Sequence, residues 1–256
     1  MLSRRHIRIK VMQSLYSFLS TKDSQLPLAE KAMLKHFNEV VELKLVVLSL
    51  LIEIVKYANN FYEDGKKKHL PNSSDLDPNT KFVNNKIVCL IRENDSLMTR
   101  ISKVSGIWLN NDHDIARKLF NVIIKSDLYI NYLGSQNLSL KSEKKFIIDL
   151  LNDFVLNHEL VHHILEERSI YWIDDLPFIA TIIFGDIKDD LNFNPSLAFK
   201  DKTDKEFAVA LFRNTIVNNS DYEKIIEKFG QTNFTGLIWK SENDISVSKD
   251  KADTLF

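Results

Sequence analysis

The 256-residue chain has one cysteine, six glycines and five prolines, and each scarcity closes off a class of protein. A single thiol, Cys89, permits neither an internal disulfide nor a thiolate zinc cluster, which suits a reducing compartment and leads to the expectation of a cytoplasmic protein. Its neighbours in "KIVCLI" are apolar, so Cys89 is expected in the core and not as a nucleophile. There is no phosphate loop and no Gly-x-Ser-x-Gly elbow. The longest apolar run, Leu45 to Val55, is interrupted by Glu53 and is too short to cross a bilayer. No apolar signal core follows the basic start, so no membrane association is expected. Net charge is also lacking: at −1, the whole molecule offers no field, and affinity for a polyanion has to come from a local patch.

What remains is an apolar content of 44% arranged with helical and not alternating periodicity, which predicts an all-α fold. Helix 1 is expected to start after Ser3 and run to about Leu19, with Ile7, Val11, Leu15 and Phe18 as its apolar stripe. A long second helix follows Pro27, through Leu34, Phe37, Val41, Leu45, Leu48, Ile52 and Val55, and stops at Gly65 and the lysines behind it. The turn-rich "HLPNSSDLDPNT" then separates it from helices expected at about 81–93, 95–105, 113–133, 142–168 and 176–190. The last would be entered by Asp174 and Asp175, with Pro177 in its first turn. Two more are expected at about 203–218 and 220–229, the second opened by a Ser220/Glu223 capping box and closed by Gly230. Residues 231–256 lose periodicity and are expected to be irregular. The organisation is thus a basic N-terminal helix (1–25), a helical region (26–200), a C-terminal helix pair (201–230) and a tail (231–256).

Two stretches carry candidate chemistry. His158-Glu159-Leu160-Val161-His162 has the spacing that sets two imidazoles on one helix face for zinc, with Glu159 as base activating a bound water. No histidine follows His163 to give a third imidazole, and His158 falls on the apolar stripe of Ile147, Leu151, Phe154, Val161 and Leu165. An interior histidine without metal is therefore the expected role, and a helical zinc metallopeptidase the alternative. Paired Asp174/Asp175 and Asp189/Asp190 are expected as caps, and the Lys66–Lys68 and Lys141/Lys144/Lys145 runs as solvated faces, the first able to assist RNA binding.

The N-terminal helix differs. Arg4, Arg5, Arg8 and Lys10, with His6 among them, place four cations in seven residues, against the helix dipole. Such a cluster neutralises phosphates, while Gln13 and Tyr16 further along offer a hydrogen-bonding amide and a stacking ring to an unpaired base. Arg4, Arg5, His6, Arg8, Gln13 and Tyr16 are accordingly the candidate RNA-binding residues.

"RRHIRIKVMQSLY" resembles the arginine-rich opening of the NusB transcription antitermination family: an Arg-Arg pair, a further arginine, then Gln-x-Leu-Tyr, matched by Arg4, Arg5, Arg8, Gln13, Leu15 and Tyr16. Ile7 and Val11 stand where that family has small residues. "HLPNSSDLDPNTKFVNNK", "RSIYWIDDLPFIA" and "DKEFAVALFRNTIVNNSDYEKIIEKF" are similar to longer NusB proteins with an insertion after helix 1. The resemblance implies a NusB-like bundle with a helical insertion, no catalytic chemistry and no cofactor. It also implies binding to the boxA element of ribosomal RNA leader transcripts together with the ribosomal protein NusE, within the RNA polymerase antitermination complex. The family's later segment has no counterpart in "TNFTGLIWKSENDISVSKD". An incomplete C-terminal subdomain is therefore expected, and a truncated, non-functional remnant is a further reading.

Overall fold

The computed structural model describes residues 2–21, 25–109, 114–136, 138–189, 191, 193, 199, 201–233, 238–240 and 244–246. The chain divides into two compact units, one of residues 1–37 with 197–256, the other of residues 38–196. The basic helix and the C-terminal helix pair, far apart in sequence, thus belong to one unit.

In the first unit, α1 (Arg4–Ser20) begins where the Ser3 hydroxyl accepts a hydrogen bond from the His6 backbone N–H. Ile7, Val11 and Leu15 are buried as the periodicity predicts, together with Lys10 and Ser14. The start of α2 (Leu26–Lys66) lies in the same unit, and Pro27 sits in its first turn, where a missing N–H costs nothing. α12 (Lys202–Val217) is capped by Asp201, whose carboxylate accepts from the Asp204 N–H at 3.0 Å, and buries Ala208 and Phe212. Phe18 packs edge-on against Phe212 at 6.1 Å, and Arg213 donates to Glu30 at 2.6 Å. α13 (Asn219–Asn233) starts one residue early and runs through Gly230. The expected Ser220 capping box is replaced by an Asn219 amide donating to Glu223 at 2.8 Å. Val217 and Ile225 remain exposed on this pair. Within the stretch expected to be irregular, Ile238–Lys240 and Asp244–Ser246 pair antiparallel, Ile238 opposite Ser246; the other residues beyond 233 lie outside the described ones.

The second unit is all helical among its described residues. The remainder of α2 buries every residue from Leu43 to Leu51, with Val40, Ile54, Val55 and Ala58 on either side. Then come α3 (Ser73–Leu76), with its Asn72/Asp75 capping box inside the expected loop, α4 (Lys86–Glu93), α5 (Asp95–Val104), α6 (Gly106–Leu109) and α7 (Ile115–Ile123). α8 (Asp127–Gly134), α9 (Leu140–Leu150) with a π-helical continuation (Leu151–Leu156), α10 (Glu159–Arg168) and α11 (Trp172–Lys188) complete it.

Four expected helices change their bounds. The span 81–93 starts only at Lys86, because buried Asn85 caps it through the Ile87 N–H at 2.9 Å. The span 113–133 breaks at Ser126, whose hydroxyl caps α8 through the Tyr129 N–H. The span 142–168 breaks at Asn157 and His158. α11 begins four residues earlier than expected, which leaves Pro177 in its interior and Asp174 and Asp175 in its first turn, where their charge favours the dipole's positive end without capping it.

The largely aliphatic core of this unit holds one aromatic cluster. Phe120 meets Tyr57, Phe61, Tyr62, Phe82 and Tyr129, at ring separations between 5.6 and 6.5 Å. The hydroxyls of Tyr62 and Tyr129 hydrogen-bond each other, and burial raises the pKa of both, so the pair stays neutral. Asn85 donates to the Tyr132 hydroxyl at 2.9 Å, and the buried Glu143 accepts from the Lys86 N–H at 2.9 Å, so polar groups beside the rings are satisfied. Lys81 donates to the carbonyls of Leu133 and Ser135, both at 2.6 Å, neutralising the C-terminal end of α8. Replacing Phe120 by Ala removes the ring at the centre of this cluster. The expected cost is about 3–5 kcal/mol, read as a lowered denaturant midpoint.

Candidate nucleic-acid interface

A helix whose first turns carry arginine and no acidic residue places positive charge on the positive end of its own dipole. Part of that penalty is relieved from α12. The Arg4 Nε donates to the Asp204 carboxylate at 3.2 Å, and the guanidinium carbons of Arg4 and Arg8 lie over the Phe207 ring, 4.9 and 5.5 Å from its centre. The Arg4 side chain nevertheless stays 56% exposed, while Asp204 is nearly enclosed. Arg5 is exposed and forms no ion pair with any described residue.

At 3.6 residues per turn, Arg5, Met12 and Tyr16 share one line along α1, and Arg4 and Arg8 flank it on the side of α12. Tyr16 is 61% exposed, so its ring is available to a ligand. Arg4, Arg5, Arg8 and Tyr16 therefore share one side of the helix. The other expected residues do not join them. Lys10 is only 4% exposed, on the buried side of the helix one turn from Ile7 and Ser14; the four-cation cluster expected from the sequence is reduced to three. Gln13 is half-buried and its Oε1 is enclosed with no hydrogen-bond partner among the described residues, so that oxygen is not offered to a base.

His6 lies on the far flank. Partial burial, and then the charge of Arg5, hold its pKa below the ordinary histidine value, so the ring is neutral near pH 7. Its Nδ1 shares a hydrogen bond of 2.6 Å with the Ser3 hydroxyl. Two residues that complete the face, Asp204 and Phe207, are not among the candidates that the sequence singles out. They sit on α12, about two hundred positions away, and only the apolar spacing of that helix hints that it packs inward.

The lysine runs are engaged elsewhere. Lys66 pairs with Glu63, Lys67 with Asp64, Lys68 with Asp75 and Lys145 with Asp149, while Lys144 donates to the Lys188 carbonyl. The Lys66–Lys68 run thus brings no unpaired cation to a polyanion.

The His158–His162 spacing is not carried by one helix. His158 has extended backbone and caps α10, its Nδ1 accepting from the Leu160 N–H at 3.2 Å. It is half-exposed, which corrects its expected place inside an apolar stripe. His162 donates from Nε2 to the Leu156 carbonyl at 2.6 Å. One ring nitrogen of each histidine is thus committed to the backbone at the break between the π segment and α10, and Glu159 is exposed. Among the described residues, no three histidine, cysteine or carboxylate side chains converge as metal ligands.

A cleft of about 310 Å3 between α1 and the start of α2 brings Ser14 to 3.4 Å from His36 Nδ1. The Ser14 hydroxyl donates instead to the Lys10 carbonyl at 2.9 Å, an ordinary helical back-bond, so this approach does not activate a nucleophile. No described helix is long and apolar enough to cross a membrane. Compared with family models, curated proteins and solved structures, the chain matches none.

Two outcomes test this geometry. His6 is harder to protonate folded than unfolded, so the unfolded state takes up the extra proton and stability falls as pH drops from neutral through the histidine range; His6→Gln should flatten that part of a stability-against-pH curve. His158→Ser keeps an acceptor at the cap, so its thermal midpoint should equal wild type with or without added zinc. A zinc-dependent rise in wild type that is absent from the variant would restore the metal reading.

Proposed function

We propose that the protein binds single-stranded RNA through the leading end of α1, with Arg4, Arg5 and Arg8 on phosphates and Tyr16 stacking on a base. What supports the reading is one arrangement: three guanidinium groups on one side of two successive turns, in line with an exposed aromatic ring. A guanidinium pairs with a phosphate through two parallel N–H donors, and an unpaired base supplies a flat face for the tyrosine. The side chains are spread along a helix and do not converge in a pocket, which suits an extended polyanion more than a small metabolite.

The resemblance to NusB gives this binding a context. In that context the RNA is the boxA element of a ribosomal RNA leader, NusE is the protein partner, and the assembly carries RNA polymerase past terminators without chemistry by this chain. Of the six expected residues, Gln13 withdraws its carbonyl oxygen and His6 sits at the margin of the face.

The test is a titration of labelled single-stranded RNA at several salt concentrations. For every phosphate that a variant no longer neutralises, the slope of log K against log salt should shrink by roughly 0.7. Arg5→Ala should therefore lower both affinity and slope, and the Arg4, Arg5 and Arg8 triple alanine variant should reduce the slope by roughly 2. Tyr16→Ala should weaken binding by about 1–3 kcal/mol and leave the slope alone. An unchanged slope in the triple variant would refute the assignment.

A further inference from the structure

We infer that Phe207, on α12, is a positioning residue for this RNA site: its ring holds Arg4 and Arg8 in the conformation from which they reach phosphate. The inference rests on the RNA-binding reading above and adds to it a residue from outside α1.

A free arginine side chain is expensive for a ligand to use. A guanidinium on a flexible stem carries about 2 kcal/mol of rotamer entropy, and a ligand that gathers two of them has to order both. Here the ordering is done before any ligand arrives. Arg4 and Arg8 are one turn apart, and both guanidinium carbons lie within 5.5 Å of the centre of one ring. Phe207 is half-buried and is followed in α12 by the buried Ala208, which anchors the helix that carries the ring.

Asp204 contributes differently. It takes the Arg4 Nε and stays only 10% exposed, fixing the stem and leaving the outer face of the guanidinium toward solvent. A carboxylate alone would hold Arg4 at the cost of cancelling its charge, whereas an aromatic ring orients a cation and leaves the charge intact. That distinction makes the role of Phe207 measurable. Removing the ring should weaken binding while the number of phosphates neutralised, and so the salt dependence, stays the same.

The experiment compares Phe207→Leu, which keeps apolar volume and removes the ring, with Phe207→Tyr, which keeps both. Thermal melting of each variant checks that α12 remains seated on α1. Nitrogen-detected resonances of the Arg4 and Arg8 Nε–H groups in the free protein should show ring-current shifts in wild type and in the tyrosine variant, and none in the leucine variant. With a labelled single-stranded RNA, Phe207→Leu should bind about three- to tenfold more weakly with an unchanged salt slope, and Phe207→Tyr should restore wild-type affinity. Equal affinity of wild type and Phe207→Leu overturns the positioning role and leaves the RNA reading standing. A weakening in Phe207→Leu that Phe207→Tyr does not restore also overturns it, since packing alone would then account for the effect. Wild-type protein that fails to bind the RNA overturns both.

Discussion

One helix has to serve two demands that pull against each other. α1 must bury a face in its unit, and it carries three arginines at the end where the helix dipole is positive. Sealing Ile7, Val11 and Leu15 from water stabilises the helix by about 1.5–3 kcal/mol for each side chain, while each misplaced cation costs about 0.3–1 kcal/mol. Burial wins, so the helix persists with its cations in place. The contest also decides which charges survive as surface. Lys10 lies on the buried side and is withdrawn, Arg4 and Arg8 lie at its edge and rest on α12, and Arg5 lies clear of it. The cationic face is what the core leaves over.

Competition for partners also explains why the histidine pair does not read as a metal centre. A ring nitrogen can cap a backbone N–H, donate to a carbonyl or hold a metal, and each lone pair serves one partner at a time. Around Asn157 the chain passes from a π-helical segment into α10, which leaves backbone groups that need partners. His158 and His162 supply them. The aromatic cluster treats its polar groups likewise: Asn85, Glu143 and the tyrosine hydroxyls bond one another or nearby backbone, which rigidifies a scaffold without presenting reactive atoms.

How much of this is legible in the sequence depends on the distance over which each feature is determined. α1, α2 and α12 are legible because their apolar periods run unbroken over many residues. The breaks at Ser126 and His158 are not, because the apolar period continues across them and a single side chain decides where the chain turns. Ser126 is a common cap and readable in principle; histidine is a rare one, and nothing local marks it. The three arginines and Tyr16 stand out by charge and ring alone. Lys10 joins them only when it is read with its charged neighbours; set against the stripe of Ile7 and Val11, it belongs inside. Asp204 and Phe207 lie beyond local reading, since no pattern in α1 names the helix that will lie against it.

The near-zero net charge gives that last pairing of helices its weight. A strongly basic protein can gather RNA by its long-range field and tolerate loosely held side chains at the surface. With a formal charge of −1, and screening over about 8–10 Å at physiological salt, this chain has little field beyond the immediate neighbourhood of α1. In the proposed RNA binding, affinity then depends on how few degrees of freedom the ligand must freeze once it touches. Asp204 fixes Arg4 by a hydrogen bond and offsets its charge, whereas Phe207 fixes Arg4 and Arg8 together and leaves both charges whole. A short cationic face on a neutral protein gains more from that second kind of restraint than from an additional lysine, because another flexible charge would add attraction together with the entropy of ordering it.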